Sequence, residues 1–227
     1  MSAIIAEPTA EFVVEPIRIP YQRFDPARVV GQMSVDEYLN FLQKATHKYH
    51  YVNGKVIQMA GASPEHNLIA MNMAVTLRIA FEGAGSDCEV LGSDQRVAVH
   101  DRLFYFPDLT IVCGAWQVDN RGALQNPIGI VEILSPSTEL DDRTDKFREY
   151  QQIDSLRHYI LIDQRRVAVT HYSLQDTGIW GIVGDYRDLA DSLTIEWNGE
   201  AITVPLAQVY RRVSFPAPAG DADATGD

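Results

Sequence analysis

Two carboxylates stand where the hydrophobic pattern calls for apolar side chains, and a lysine follows on the next predicted helix. In "IGIVEILS", Ile128, Ile130, Glu132 and Leu134 alternate with Gly129, Val131, Ile133 and Ser135. Both sets are largely apolar, the pattern of a central strand covered on both sides, and Glu132 interrupts one of them. In "LFYFPDLTIVC", Phe104, Phe106, Asp108, Thr110 and Val112 share one face, and Asp108 interrupts it. Pro107 cannot donate to a ladder, so it marks a strand edge, a bulge or a strand start. An unpaired carboxylate in an apolar layer costs several kcal/mol. A salt bridge to a nearby Arg or Lys, or a strand end in water, explains either acid alone. One shared divalent ion explains both. Oxygen ligands with room for water suit Mg²⁺ or Mn²⁺ rather than zinc.

Lys146 lies on the predicted helix that follows Glu132. Asp142 precedes it by one helical turn, so a surface i,i+4 pair is the plain alternative. The connection from Glu132 is short, however, and the helix must pack back beside the strand that feeds it. The long lysine stem then reaches toward the two acids. Asp, Glu and Lys around a divalent ion are the parts of phosphodiester hydrolysis. The acids hold the ion, the ion activates water, and the ammonium stabilises developing negative charge.

The elements that must position these groups are legible in outline. "SVDEYLNFLQKA" opens with Ser34 and Glu37 at capping-box spacing and predicts a helix. "KYHYVNGKVIQMA" reads as a hairpin turning at Asn53-Gly54. "SPEHNLIAMNMAVTLRIAFEG" predicts a long helix capped by Ser63, with Pro64 at its first position. "STELDDRTDKFREYQQI" predicts one further helix capped by Ser137 or Thr138. Strands are expected in "CEVLG", "QRVAV", "LFYFPDLTIVC", "IGIVEILS", "HYILID" and "RVAVTHYSL", with weaker ones toward the end. The fold class is α/β or α+β, a mixed central β-sheet flanked by helices.

The 227 residues, 46% hydrophobic, fit one globular domain. We expect an N-terminal arm over residues 1–30, a single domain over 31–213 and a disordered acidic tail over 214–227. The net charge of −12 argues against non-specific affinity for DNA or anionic membranes. No apolar run approaches the roughly 20 residues of a membrane span. The start of the chain lacks the basic and apolar regions of a secretory signal. Cys88 and Cys113 are expected to be reduced, buried thiols in a cytoplasmic protein.

The arrangement resembles the PD-(D/E)XK nuclease superfamily, with its Pro-Asp present as Pro107-Asp108. That motif places lysine two residues after the glutamate, where this chain has Leu134. A wider set of segments, "SVDEYL", "YVNGKVIQMAGASPEHNLIA", "GSDQRVAV", "YFPDLTIVCG", "IVEILSPSTELDDRTDKFREY" and "LRHYILIDQRRVAVTHY", resembles the bacterial Uma-two family of restriction-endonuclease-like proteins over about Ser34 to Tyr210. In that family the lysine stands on the following helix, which by position implies Lys146. The resemblance implies a restriction-endonuclease-like fold, a divalent metal on Asp108 and Glu132, and DNA as substrate. Members often carry glutamate where this chain has His50. If that glutamate completes the metal site, His50 must substitute for it or activity is reduced.

Accessory candidates surround this core. His66 shares a stripe with Ile69, Met73 and Leu77, so it faces inward, as a core histidine or as a site residue. Glu65 is a solvated helix-start acid, or the glutamate that the superfamily often carries on its first core helix. Gln95 and Arg96 are candidates to face the cleft, with an ion pair to an acid as the plain alternative for Arg96. Asp141 and Asp145 read as solvated acids, and Arg143, Arg148, Arg157, Arg165 and Arg166 as a locally basic region. A homodimer would supply the two centres that cutting a duplex requires. The leading expectation is a metal-dependent endonuclease. The alternatives are a nuclease-fold module that binds a protein or nucleic acid without catalysis, and a hydrolase using paired acids on another substrate such as a glycoside.

Overall fold

The computed structural model describes residues 23, 24 and 26–215. Most of the predicted arm and nearly all of the predicted tail lie outside the described residues. The chain runs β1 (Val29–Gln32), α1 (Val35–Leu42), β2 (Tyr49–Val52), β3 (Lys55–Gln58), α2 (Pro64–Gly83), β4 (Cys88–Gly92), β5 (Val97–His100) and β6 (Leu103–Tyr105). It continues with β7 (Leu109–Cys113), β8 (Gly129–Leu134), α3 (Glu139–Arg143), α4 (Asp145–Tyr150), β9 (His158–Asp163) and β10 (Val169–Leu174). β11 (Trp180–Tyr186), β12 (Ser192–Trp197), β13 (Glu200–Pro205) and α5 (Leu206–Val209) complete it. β1 already belongs to a sheet, so the folded part begins within the region assigned to the arm.

The strands form a five-stranded sheet in the order β1-β3-β2-β6-β5, a six-stranded sheet in the order β11-β10-β9-β8-β7-β4, and the β12–β13 hairpin. A single central sheet was expected. Alternation in sequence marks which face is buried but not which strands pair, so the division was not visible there. β8 and β9 pair in parallel. Parallel neighbours need a crossover, and here α3 and α4 supply it, so Lys146 lies on the segment that returns over Glu132.

The local signals act as predicted. Ser34 and Glu37 close a capping box on α1, and Ser63 caps α2 with Pro64 in its first turn. Asn53 and Gly54 both take positive φ, as a two-residue hairpin requires. Ile69, Met73, Leu77 and Phe81 of α2 are buried against Ile111, Val131, Ile133, Ile160 and Ile162. Each such side chain contributes roughly 1.5–3 kcal/mol of apolar burial. The opposite face of β8, with Ile130 and Leu134, packs with Tyr150, Tyr159 and the five-stranded sheet residues Leu103 and Tyr105. Glu132 belongs to this second layer by the alternation of the strand.

Three expectations need correction. The helix predicted over "STELDDRTDKFREYQQI" is broken at Thr144, which leaves the helical region at φ −124°, ψ −91°. Its hydroxyl donates to Leu140 O at 2.6 Å, the i−4 bond by which threonine bends helices. Thr138 makes no side-chain cap bond there. "LFYFPDLTIVC" is two strands, β6 and β7, in different sheets, and the chain passes between them at Phe106-Pro107-Asp108. Cys88 and Cys113 are not free thiols but a disulfide, because they face each other directly across β4 and β7.

Candidate active site

Strand register brings the two predicted acids together. Leu109 pairs with Val131 and Thr110 with Ile130, so the same register continued by one residue sets Asp108 opposite Glu132. Directly opposed residues of antiparallel strands project on the same face. The register then places Pro107 opposite Ile133, where no ladder bond from proline nitrogen is available. The Asp108 carboxylate takes that amide instead: Ile133 N–H donates to its Oδ2 at 2.7 Å. Its Oδ1 lies 3.0 Å from His66 Nε2. His66 is thus a hydrogen-bonded, mostly buried partner of Asp108 at the start of α2.

Glu132 is 3% exposed. Its Oε1 accepts from Lys146 Nζ at 2.7 Å and from the Tyr150 hydroxyl at 3.0 Å. Lys146, 6% exposed, also donates to Asp142 Oδ1 at 3.0 Å. The Tyr105 ring lies beneath the ammonium, 5.6 Å from Nζ to the centroid. Burial pushes the Glu132 carboxyl up to about 8, against the pull of Lys146 and with a further push from Asp142 and Asp108. Burial also opposes the charge on Lys146, but Asp142 and Glu132 outweigh it and hold the amine well above its usual range. The cluster therefore crowds the Asp108, Glu132 and Asp142 carboxyl groups around one ammonium in a desolvated layer, and that crowding, added to burial, favours the protonated form of Glu132 in the absence of a second cation.

The accessory candidates divide. His50 borders the site from β2: its Nδ1 accepts from Phe106 N–H at 3.4 Å and its ring packs edge-on against Tyr105. Burial, followed by the Lys146, Arg23 and Arg28 cations, holds His50 well below its usual range, so it is a neutral imidazole. Glu65 is half-buried in the first turn of α2, and its side chain joins no ion pair among the described residues. Gln95 does not serve the cleft: its amide donates to Arg96 O and Gly122 O and fastens a loop. Asp141 and Asp145 are not solvated. Arg23 donates to Asp141 at 2.6 Å and to Glu149 at 2.6 Å, and lies 3.6 Å from Asp145. The basic region is largely paired off, with Arg143 on Glu139, Arg165 and Arg166 on Asp163, and Arg148 on Asp145.

Asp142 is the functional candidate that the sequence reading passed over. Its spacing to Lys146 suggested a surface pair, but it is 2% exposed. The usable signal was the run Asp142, Lys146, Tyr150, at two successive intervals of four, leading to the same carboxylate.

The donor chemistry fits a hard divalent cation. Asp108 and Glu132 offer carboxylate oxygen, and Glu132 Oε2 makes no hydrogen bond among the described residues. No group of three His, Cys, Asp or Glu ligand atoms lies within 4.8 Å around them; among the described residues such a group occurs only at Asp87, Cys88 and Cys113, whose sulfurs bond each other. Mg²⁺ is usually held by one or two carboxylates with water and substrate oxygens completing its shell, and two acids suffice for that.

Comparison with known proteins bears on this geometry. Residues 35–201 match the Uma2 family model, described as "Putative restriction endonuclease". The chain belongs to the Uma2 family. Two uncharacterized proteins of Synechocystis are similar to it. The protein slr1290 is 29% identical over 191 residues, covering 84% of this chain and 97% of its own. The protein sll1609 is 33% identical over 143 residues, covering 62% and 80%. The crystal structure of a "putative nuclease belonging to DUF820" from Anabaena variabilis superposes with a TM-score of 0.54 at 16% identity, over 70% of this chain and 88% of that one. The likeness establishes a nuclease-like α+β fold. Uma2 membership agrees with the expectation read from "VEILSPST" and "DKFREY", and it carries a nuclease-like role at the level of the family. No helix among the described residues is long and apolar enough to cross a membrane.

Proposed function

We propose that this Uma2 protein is a metal-dependent endonuclease that hydrolyses DNA phosphodiester bonds. The observation that carries the reading is the convergence of Asp108, Glu132 and Lys146 from three separate segments in a layer where carboxyl groups outnumber the ammonium, and where burial and then those groups push Glu132 up. Asp108 and Glu132 hold Mg²⁺ or Mn²⁺. When bound, the cation supplies Lewis-acid polarisation and charge neutralisation at the phosphate. His66 and the Ile133 amide fix the Asp108 carboxylate in place. Tyr150 fixes Glu132. The Lys146 ammonium has a third N–H beyond those given to Glu132 and Asp142, and it donates to the oxygen on which charge develops. A homodimer would provide a centre for each strand of a duplex.

Plasmid nicking in Mg²⁺ or Mn²⁺ tests this. Wild type nicks, and Asp108→Ala and Lys146→Ala lose at least about a hundredfold in rate, the scale of losing an electrostatic catalytic group. Equal rates in all three remove the site. A second reading, a non-catalytic nuclease-fold module, is favoured by one observation: Lys146 already pairs with Glu132 at 2.7 Å. Calorimetric Mn²⁺ binding that disappears in Glu132→Gln argues for the endonuclease and against the module.

A further inference from the structure

Asp142 has no role in the reaction as just described, yet its carboxylate is as deeply buried as that of Glu132. Among the described residues its side-chain partner is Lys146, at 3.0 Å. The aspartate is itself held: Tyr159 OH donates to its backbone oxygen at 2.8 Å, and it is buried on the short helix that ends at the break at Thr144. Lys146 is therefore anchored twice, on Glu132 of β8 and on Asp142 of α3.

The double anchor matters because one of the anchors has a second task. A cation on Glu132 draws on the same carboxylate charge that holds the ammonium. If Glu132 were the lone anchor, cation and ammonium would compete for it, and the flexible lysine stem would move out as the cation entered. We propose that Asp142 is the positioning residue for Lys146, keeping the ammonium in place while Glu132 passes from amine partner to cation ligand. The inference deepens the endonuclease reading and rests on its cation site. It assigns Asp142 no contact with substrate or cation.

The test reads the position of Lys146 directly. Wild type, Asp142→Asn and Asp142→Glu are labelled with an amine-acylating reagent, with and without saturating Mn²⁺, and modification of Lys146 is quantified by peptide mass spectrometry. Calorimetry with Mn²⁺ alone establishes saturation. Wild-type Lys146 stays protected in both conditions, within about twofold. In Asp142→Asn it is protected without metal, because Glu132 still holds it, and Mn²⁺ raises its labelling by roughly tenfold, the lower end of effects seen when supporting partners of metal sites are removed. Asp142→Glu restores protection. Asp142→Ser is read in the same way if the asparagine variant does not fold. Protection of Lys146 in metal-loaded Asp142→Asn overturns the proposal. So does labelling that is equally high with and without Mn²⁺, which makes Asp142 a packing residue only. A wild type that takes up no Mn²⁺ fails earlier and differently, removing the cation site itself.

Discussion

The Glu132–Lys146–Asp142 cluster and the His158–His171 pair are both buried in or against the six-stranded sheet, and they satisfy their polar atoms by opposite means. In the first, charges face one another at 2.7 and 3.0 Å. In the second, no charge is present. His158 Nε2 lies 2.7 Å from Glu196 O of β12, so it must be the donor there. Its Nδ1 then accepts from His171 Nε2 at 3.0 Å, and His171 Nδ1 is left as an unprotonated acceptor without a partner. Burial and the neighbouring His158 hold His171 down at about 3. The histidine pair ties the β12–β13 hairpin to the sheet through neutral rings, with His171 Nδ1 its one atom left without a partner. The carboxyl cluster has one ammonium for three acids, and the upward push on Glu132, from burial first and then from its neighbouring acids, marks it as a place where a second cation would be stabilised.

The difference breaks most sharply at Lys146. Lys146→Met leaves Glu132 and Asp142 buried without their counter-charge, and removing one member of a buried ion pair costs about 3–5 kcal/mol. Urea unfolding should report that loss. The double variant Lys146→Met with Glu132→Gln should recover part of it, since one of the two stranded carboxyl groups is then gone. If the single variant costs less than about 1 kcal/mol, the cluster is no more charge-dependent than the histidines, and the contrast fails.

Much of this contrast was legible in the chain, and the remainder was hidden for definite reasons. Glu132 stood out because it interrupts an apolar alternation, and Asp108 because it follows Pro107 in another. Capping residues placed α1 and α2, since those signals act within one turn. Lys146 was reached from the short connection and from the Uma-two resemblance. Asp142 was missed because spacing on a helix gives neighbours, not burial, and the sequence read as one helix is two, divided at Thr144. Arg23 was lost for a related reason: its acids Asp141 and Glu149 lie more than a hundred residues away, at separations of 118 and 126. The disulfide needed the register of β4 on β7, which counting cysteines does not provide. Long-range pairing is the common element in what sequence pattern left out.

The histidine pair sharpens the comparison through pH. His171 is neutral in the fold far below the ordinary histidine pKa, so beneath about pH 6.5 the unfolded chain binds a proton that the native state refuses. Stability contributed by this group is present above that pH and falls as pH drops, by roughly 1.4 kcal/mol per unit, until about pH 3. Between pH 7 and pH 5 the cost is about 2 kcal/mol. His171→Gln keeps a donor for His158 Nδ1 without titrating, so its stability curve should be flatter by that amount. Parallel curves for the two proteins would mean that His171 protonates freely in the fold and the pair is not a neutral one.

The smallest effect is expected where the same chemistry meets water. Arg78 pairs with Glu89 at 2.9 Å and Glu82 at 3.3 Å, contacts within a few tenths of an ångström of those of Lys146, but all three side chains are about half exposed or more. Solvent screens such pairs, and Arg78→Ala should change stability by no more than about 0.5 kcal/mol. Roughly 1 M salt, with a Debye length of about 3 Å, should erase even that while leaving most of the Lys146→Met loss. Should Arg78→Ala cost as much as Lys146→Met, distance alone would set the strength of these pairs. Desolvation would then not distinguish the site, and the upward push on Glu132 would no longer argue for a cation.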